Sequence, residues 1–393
     1  MNRNLKCYVK IGDIDNAERV LADSLGVEFS VFSDFYILPG FTDVHVHLRE
    51  PGFLYKETIK TGSMAAAAGG FTDIFSMPNL RPCPDSPENL KVQLDCIKKD
   101  GLVNIYPYGA ISVDENGIEL SEMTQMAADV IAFSDDGKGV ADSELMEKAM
   151  REAKVLGKII VAHCEDENYP KESAETEWKQ LERDLKLVEK TGCRYHACHL
   201  SAKESVELIR GAKKRGLDVT CETAPHYLTI TNDETEDSGR FKMNPPIKGE
   251  EDRAALIEGI KDGTIDMIAT DHAPHSIEEK NKGFAGSAFG IVGLETAFPV
   301  LYTKLVKTGI ISMEKLMELF YVNPRRRFGL EVMSADEILK TEKPTFTIWD
   351  MDYEYIIEPE NFMSKGRSTP FEGWNVAGKC MATVINGELI YKG

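Results

Sequence analysis

Two histidines one residue apart, His45 and His47 in the run Phe41-Thr-Asp-Val-His45-Val-His47-Leu-Arg49, are the side chains of this sequence best placed to do chemistry. On a strand, side chains alternate between faces, so both imidazoles emerge together and can share one metal ion. Apolar Ile37, Leu38 and Phe41 lead into the pair and Pro51-Gly52 follows it, the pattern of a short buried strand ending in a turn. All eight histidines lie between positions 45 and 275. His163 ends an apolar run in VAHCED, His196 and His199 share YHACHLS, His226 lies in APHYL, and His272 and His275 lie in ATDHAPH. Imidazole and carboxylate donors suit Zn²⁺, and a catalytic site leaves one coordination position open for water.

Carboxylates stand in the same kind of place. Asp271 closes the run IDMIATD, where an ionised group is costly unless it meets a metal or a donor. It can also take a proton from a water activated by the metal. Asp135-Asp136-Gly137 follows another short apolar run. Asp-Gly alone marks an ordinary turn, and only its place beside the other candidates promotes it. His163 and His199 are read as ligands for the same reason. His196 and His199 are an odd number of residues apart, so they point to opposite faces of a strand. His199, nearer the strand end, is assigned to the metal, and His196 is read as structural.

These residues need elements that bring them to one rim. From about residue 40 onward, short β-rich runs alternate with longer amphipathic ones, the signature of repeated βα units and a parallel sheet. Strands are predicted over 40–47, 71–77, 103–111, 129–134, 158–163, 194–199, 218–222 and 266–270, with helices over 58–68, 87–99, 143–156, 174–190, 202–215 and 252–261. That count predicts an α/β fold, a TIM-like (β/α)8 barrel over residues 39–343 with its active site where the strands end. A doubly wound sheet competes, but no G-x-G-x-x-G follows an early strand. Residues 1–38 and 344–393 do not fit the βα pattern and are expected to form a small, abbreviated β-domain together. The segment 276–290, rich in glycine and charge, reads as a mobile loop over the rim.

Composition narrows the chemistry. The chain has 393 residues, 42% of them hydrophobic, enough for one large barrel and a small second domain. Its formal charge is −19 and it shows no basic cluster, which argues against a nucleic-acid or anionic-membrane footprint and for a small-molecule substrate. Eight cysteines are scattered without a Cys-x-x-Cys, as expected of reduced thiols in a cytoplasmic protein. The N-terminal stretch MNRNLKCYVK lacks a signal-peptide core, and no apolar run is long enough to span a bilayer.

The motifs PGFTDVHVHLREPG, AAGGFTDIFSMPN, AFSDDGKG, AHCED, HLS, NPPIK, IDMIATDHAPH and STPFEGW, taken together, resemble those of dihydroorotases of the amidohydrolase superfamily. The likeness is to the branch that uses an aspartate where many relatives use a carboxylated lysine. It runs over 38–329 and again from 364 to the last residue. It implies that His45, His47, His163, His199 and Asp271 are metal ligands, with Asp136, the second of its pair, bridging two ions. It implies further that Arg49 and Asn79, helped by His275, hold the substrate carboxylate, and that Asn244 faces the pyrimidine ring. Arg49 also makes sense unaided: two residues beyond His47 it shares that strand face, and a guanidinium fork grips a carboxylate with two parallel hydrogen bonds. Two departures from the family pattern are the short stretch before the His-x-His and a compressed segment at 168–178.

The reaction implied is the reversible hydrolysis of (S)-dihydroorotate to N-carbamoyl-L-aspartate, with one or two Zn²⁺ per chain and Asp271 as general base turned general acid. A homodimer is the expected assembly. One alternative is a cyclic amidase for hydantoins, allantoin or dihydropyrimidines. Those substrates lack the ring carboxylate that Arg49 would hold, and no lysine stands in the strand-four position which that branch carboxylates. The other is a non-catalytic assembly partner, for instance of aspartate transcarbamoylase, whose expected mark is loss of metal ligands.

Overall fold

A computed structural model describes residues 7–10 and 35–393. The expectation of an abbreviated first β-segment falls largely on 1–6 and 11–34 and lies outside the described residues.

The barrel starts with β3 (Phe41–Val46), preceded by β1 (Val9–Lys10) and β2 (Tyr36–Pro39) of a separate sheet. Every residue of β3 and of β4 (Phe71–Ser76) is buried, as in parallel strands covered on both faces. β5 (Asn104–Pro107) and β6 (Gly109–Ala110) are two halves of one barrel strand interrupted at Tyr108. Tyr108 continues the strand by donating its N–H to the Ser76 carbonyl at 3.0 Å, and its hydroxyl reaches the Val44 carbonyl at 2.8 Å. There follow β7 (Phe133–Ser134), β8 (Ile159–Ala162), β9 (Arg194–Ala197), β10 (Val219–Thr223) and β11 (Met267–Ile268), each parallel to its neighbour. The ring closes where the His47 N–H donates to the His272 carbonyl at 2.8 Å and Val46 bridges to His272. Counting the broken strand once, eight parallel strands form the (β/α)8 barrel.

Helices pack outside, and their ends follow from local chemistry. Thr58 caps Ile59–Ala68 with a reciprocal box, Ser86 caps Pro87–Asp100 with proline at its first position, and Asp142 caps Ser143–Val155. Glu175–Thr191 stops at Gly192, whose φ of 67° suits a residue without a side chain. Inside the strand ring, one end is filled by Val44, Phe75, Tyr108, Val161, Met267 and Phe328. Phe328 stands edge-on to Phe75 at 4.9 Å. That end is therefore a plug, leaving the C-terminal ends of the strands as the only open mouth the barrel interior has among the described residues.

The second sheet is antiparallel, in the order β1-β2-β12-β13-β14, where β12 is Phe346–Ile356, β13 Asn375–Ile385 and β14 Glu388–Lys392. Segments from both ends of the sequence thus share one sheet. Its junction with the barrel is aromatic: Phe298 lies 5.1 Å from Phe41 and 4.2 Å from Trp349. Because β2 runs into β3 through Pro39 and Gly40, this packing sets where the His-x-His strand begins. Gly40 allows it, since a Cβ there would lie 2.1 Å from the Thr72 side chain.

Candidate metal centre and active site

His45 and His47 leave β3 on one face, as strand alternation requires, and each is held from behind. His45 donates Nδ1–H to Glu222 Oε1 at 2.7 Å, and His47 donates Nδ1–H to Asn79 Oδ1 at 2.9 Å. In the neutral ring, the form that binds a metal, both Nε2 atoms then present lone pairs to the interior. From His45 Nε2 it is 3.3 Å to Asp136 Oδ1 and 3.5 Å to Asp271 Oδ1. From His47 Nε2 it is 3.4 Å to Asp136 Oδ2 and 3.1 Å to Asp271 Oδ1.

Asp136, just beyond β7, faces a second pair. His163 Nδ1 is 3.7 Å and His199 Nε2 3.6 Å from its Oδ1, and those two ring nitrogens are 2.9 Å apart. His163 is held by Glu165 Oε2, 2.9 Å from its Nε2. The six residues thus form two ligand groups, His45 with His47 and His163 with His199, with one Asp136 oxygen or the other reaching each member. Asp271 lies on the side of the first group. All six are buried.

This donor set fits a divalent cation. Two donors about 2.1 Å from one ion at a tetrahedral angle are about 3.4 Å apart, and most of the separations above cluster around that value. His45 Nε2 and Asp136 Oδ1 have no hydrogen-bond partner, although both are buried. Lone pairs aimed at one another repel unless a positive charge lies between them, and orphaned buried atoms call for a partner. A third group, His45 with Cys198 and Glu222, also has ligand spacing. There Glu222 faces the far nitrogen of His45, and burial pushes the Cys198 thiol well up, so it stays protonated.

Electrostatics agree with the geometry. Burial alone would raise the carboxyls of Asp136 and Asp271, but the imidazoles of His45, His47 and His199 outweigh it and hold both below the usual carboxylate range. For His45, burial opposes the charged ring, yet Asp136 and Glu222 win and pull its pKa well above that of free imidazole. The site thus favours positive charge at its centre. Backbone strain gathers here too: Arg49, His199 and Asp271 have φ of 61°, 30° and 48°. Such conformations cost about 1–3 kcal/mol each and persist where the surroundings enforce them.

Above the ligands is a cavity of about 210 Å³. Arg49, Asn79, Asn244 and His275 all line it, together with five of the six ligand candidates. Arg49 is fixed by donating Nε–H to the Pro274 carbonyl at 3.2 Å. Burial lowers its pKa to about 10, so it stays charged at neutral pH. Burial, then the neighbouring Arg49 and Lys56, lower His275 to about 3 and keep it neutral. Phe289 also lines the cavity, from the segment 276–290. That segment holds helical turns Ile277–Lys280 and Gly283–Gly286, and the buried Lys280 ammonium donates to the carbonyls of Lys242, Ala288 and Gly290.

The other histidines lie elsewhere. His196 reaches Thr220 Oγ1 at 2.8 Å and Glu222 Oε2 at 3.0 Å, behind the site. His272 faces Glu57 at 3.4 Å, and burial lowers His226 to about 4. The sequence reading passed over Glu165, Glu222 and Lys56. Glu165 is two residues past His163, the spacing that singled out His47 after His45, and Glu222 ends a predicted strand as the ligands do. Lys56, 3.2 Å from His275 Nδ1, lies in an irregular turn that gives no sequence signal.

Comparisons with known proteins point the same way. A family profile described as dihydro-orotase-like matches residues 35–180. A dihydroorotase of Fusobacterium nucleatum is 48% identical over 374 residues, covering 91% of this chain and 87% of its own. One of Brevibacillus brevis is 46% identical over 377 residues, covering 91% and 88%. Among solved structures, an L-hydantoinase (dihydropyrimidinase) from Arthrobacter aurescens superposes with a TM-score of 0.81 at 26% identity, over 91% of this chain and 85% of that one. A D-hydantoinase (dihydropyrimidinase) from a Thermus species gives 0.77 at 24% identity over 90% and 84%, a likeness of fold.

Proposed function

The chain belongs to the dihydroorotase family, and from that premise we propose how its own residues carry out the reversible hydrolysis of (S)-dihydroorotate to N-carbamoyl-L-aspartate in pyrimidine biosynthesis. The enzyme is a cyclic amide hydrolase. The observation that carries the residue assignment is the joining of two chemistries in one cavity: buried imidazole and carboxylate donors below, and a charged, fixed guanidinium above.

We assign His45, His47, His163, His199, Asp136 and Asp271 as the residues that would hold the metal, and the contacts of Asp136 with both histidine pairs support two ions over one. Zn²⁺ suits these borderline donors. When bound, it polarises the amide carbonyl and brings the pKa of a water toward about 7. Asp271, ionised at neutral pH, would take a proton from the attacking water as the water oxygen adds to the carbonyl carbon. As the ring C–N bond breaks, Asp271 returns the proton to the departing ring nitrogen, and the carbonyl carbon becomes a carboxyl group that releases its remaining proton to solvent. Ring closure runs the same steps backward. Arg49 grips the carboxylate already present on the substrate, with Asn79 and His275 beside it, and Asn244 meets the ring.

All eight cysteines are free thiols, which supports a reducing, cytoplasmic setting. No helix among the described residues is long and apolar enough to cross a membrane. A homodimer is proposed as the assembly. Sedimentation of the protein alone, and mixed with aspartate transcarbamoylase, tests both that state and an association with that enzyme.

The deciding assay compares dihydroorotate with hydantoin, before and after chelation and Zn²⁺ restoration. Turnover of dihydroorotate, lost on chelation and regained with Zn²⁺, is the expected result. Turnover of hydantoin alone would make the protein a different cyclic amidase, and silence on both with metal bound would favour the assembly role.

A further inference from the structure

A side-chain amide has a donating and an accepting end of almost the same shape, so its neighbours decide which end a ligand meets. The two asparagines of the cavity have opposite neighbours. Asn79 turns Oδ1 to His47 Nδ1, which carries the ring hydrogen when Nε2 serves the metal as assigned above. Its amino group is left for the cavity. Asn244 places Nδ2 2.7 Å from Glu165 Oε2, and a carboxylate can only accept. Its carbonyl oxygen is the end left free. Glu165 is itself fixed: only 7% exposed, it takes the His163 Nε2–H on the same oxygen at 2.9 Å and pairs Oε1 with Lys171 Nζ at 2.7 Å.

Resting on the substrate proposed above, we infer that Glu165 is a positioning residue that makes Asn244 present a carbonyl to a ring N–H of the substrate, while His47 makes Asn79 present an amino group to its carboxylate. The site then demands a hydrogen on a ring nitrogen as well as an acid group. A ligand that lacks this hydrogen covers the Asn244 carbonyl without pairing it. Sites that hydrogen-bond a donor reject analogues without it far more strongly than apolar pockets reject a methyl group. One carboxylate oxygen thereby serves both a metal-ligand candidate and the reading of the ring.

Equilibrium binding of orotate, 1-methylorotate and 3-methylorotate to the metal-loaded protein tests this without turnover. Wild type is expected to bind orotate and to lose about 10- to 100-fold with one of the two methylated rings, the usual penalty for an unmade buried hydrogen bond. Glu165→Met, brought to wild-type metal content per chain, should weaken orotate binding and lose the discrimination. Glu165→Gln should keep it, because its amide oxygen can replace Oε2 while Lys171, whose side chain is 57% exposed, moves into solvent. Asn244→Ala should keep its metal and also lose the discrimination. Wild type that fails to bind orotate, or binds all three alike, overturns the inference. So does Asn244→Ala or fully loaded Glu165→Met that still discriminates. Failure of wild type to hydrolyse dihydroorotate would count instead against the proposed function.

Discussion

His45 can serve a metal because Glu222 occupies its other nitrogen, fixing both the tautomer and the ring plane. Substituting Glu222 by Gln should lower metal affinity about 10- to 100-fold, the usual cost of losing such support, while kcat at saturating Zn²⁺ falls much less; titration against a competing chelator measures it. Arg49 has a different task and should fail differently. Arg49→Ala should reduce kcat/KM for dihydroorotate by about 10- to 100-fold with metal per chain unchanged, because a charge-assisted contact to substrate is lost and no ligand is touched. A parallel loss of metal would place Arg49 among the ligand supports. The metal candidates were legible in the sequence because they recur at strand ends and, in β3, at a spacing of two. Glu222 and Glu165 were not, since a carboxylate after a strand reads equally well as a solvated turn until the histidine behind it is seen.

At the scale of elements, the alternation of βα units was readable because buried parallel strands are nearly all apolar. Their lengths were less so. The predicted strand 103–111 breaks at Tyr108, where a large ring turns inward to fill the plug, and 266–270 contracts to Met267–Ile268 because the chain must bend to aim Asp271 into the site. The seam between barrel and C-terminal sheet gives an element-level prediction. Glu295 accepts the N–H groups of Met363 and Ser364, and burial raises its carboxyl to about 7. In the unfolded chain a glutamate titrates near about 4.3. Between those values the folded state holds the extra proton, so this group's contribution is intact below about pH 4 and is lost as pH rises toward 7. Glu295→Gln should therefore flatten the fall in melting temperature between pH 5 and pH 7.5, seen in parallel melts of the two proteins. An unchanged slope would mean that the carboxyl is ionised throughout.

For the whole molecule, four imidazoles and two carboxylates crowded into one buried space make stability depend on what lies between them. Chelation should lower the melting temperature, and added Zn²⁺ should raise it in a concentration-dependent way, the folded state gaining about 2.7 kcal/mol at one hundred times the dissociation constant. A melting temperature indifferent to both would contradict the assigned ligands. The two-part architecture was legible as a change of pattern at each end of the sequence. So was the meeting of both ends in one β-domain, but the order and register of its strands were not, because strand pairing across hundreds of residues leaves no local trace.

That pairing has a consequence for the order in which the protein is made. β2 leads directly into the strand of His45 and His47, and its partner across the sheet is β12; the Thr347 hydroxyl donates to the Leu38 carbonyl 309 residues away in sequence. Synthesis delivers the first candidate ligands hundreds of residues before the strand that pairs with the segment leading into them. A ribosome-bound chain that ends before β12 would carry every candidate ligand and yet lack the strand that pairs with β2, which leads into two of them. The late arrival of β12 is thus built into completion of the candidate site.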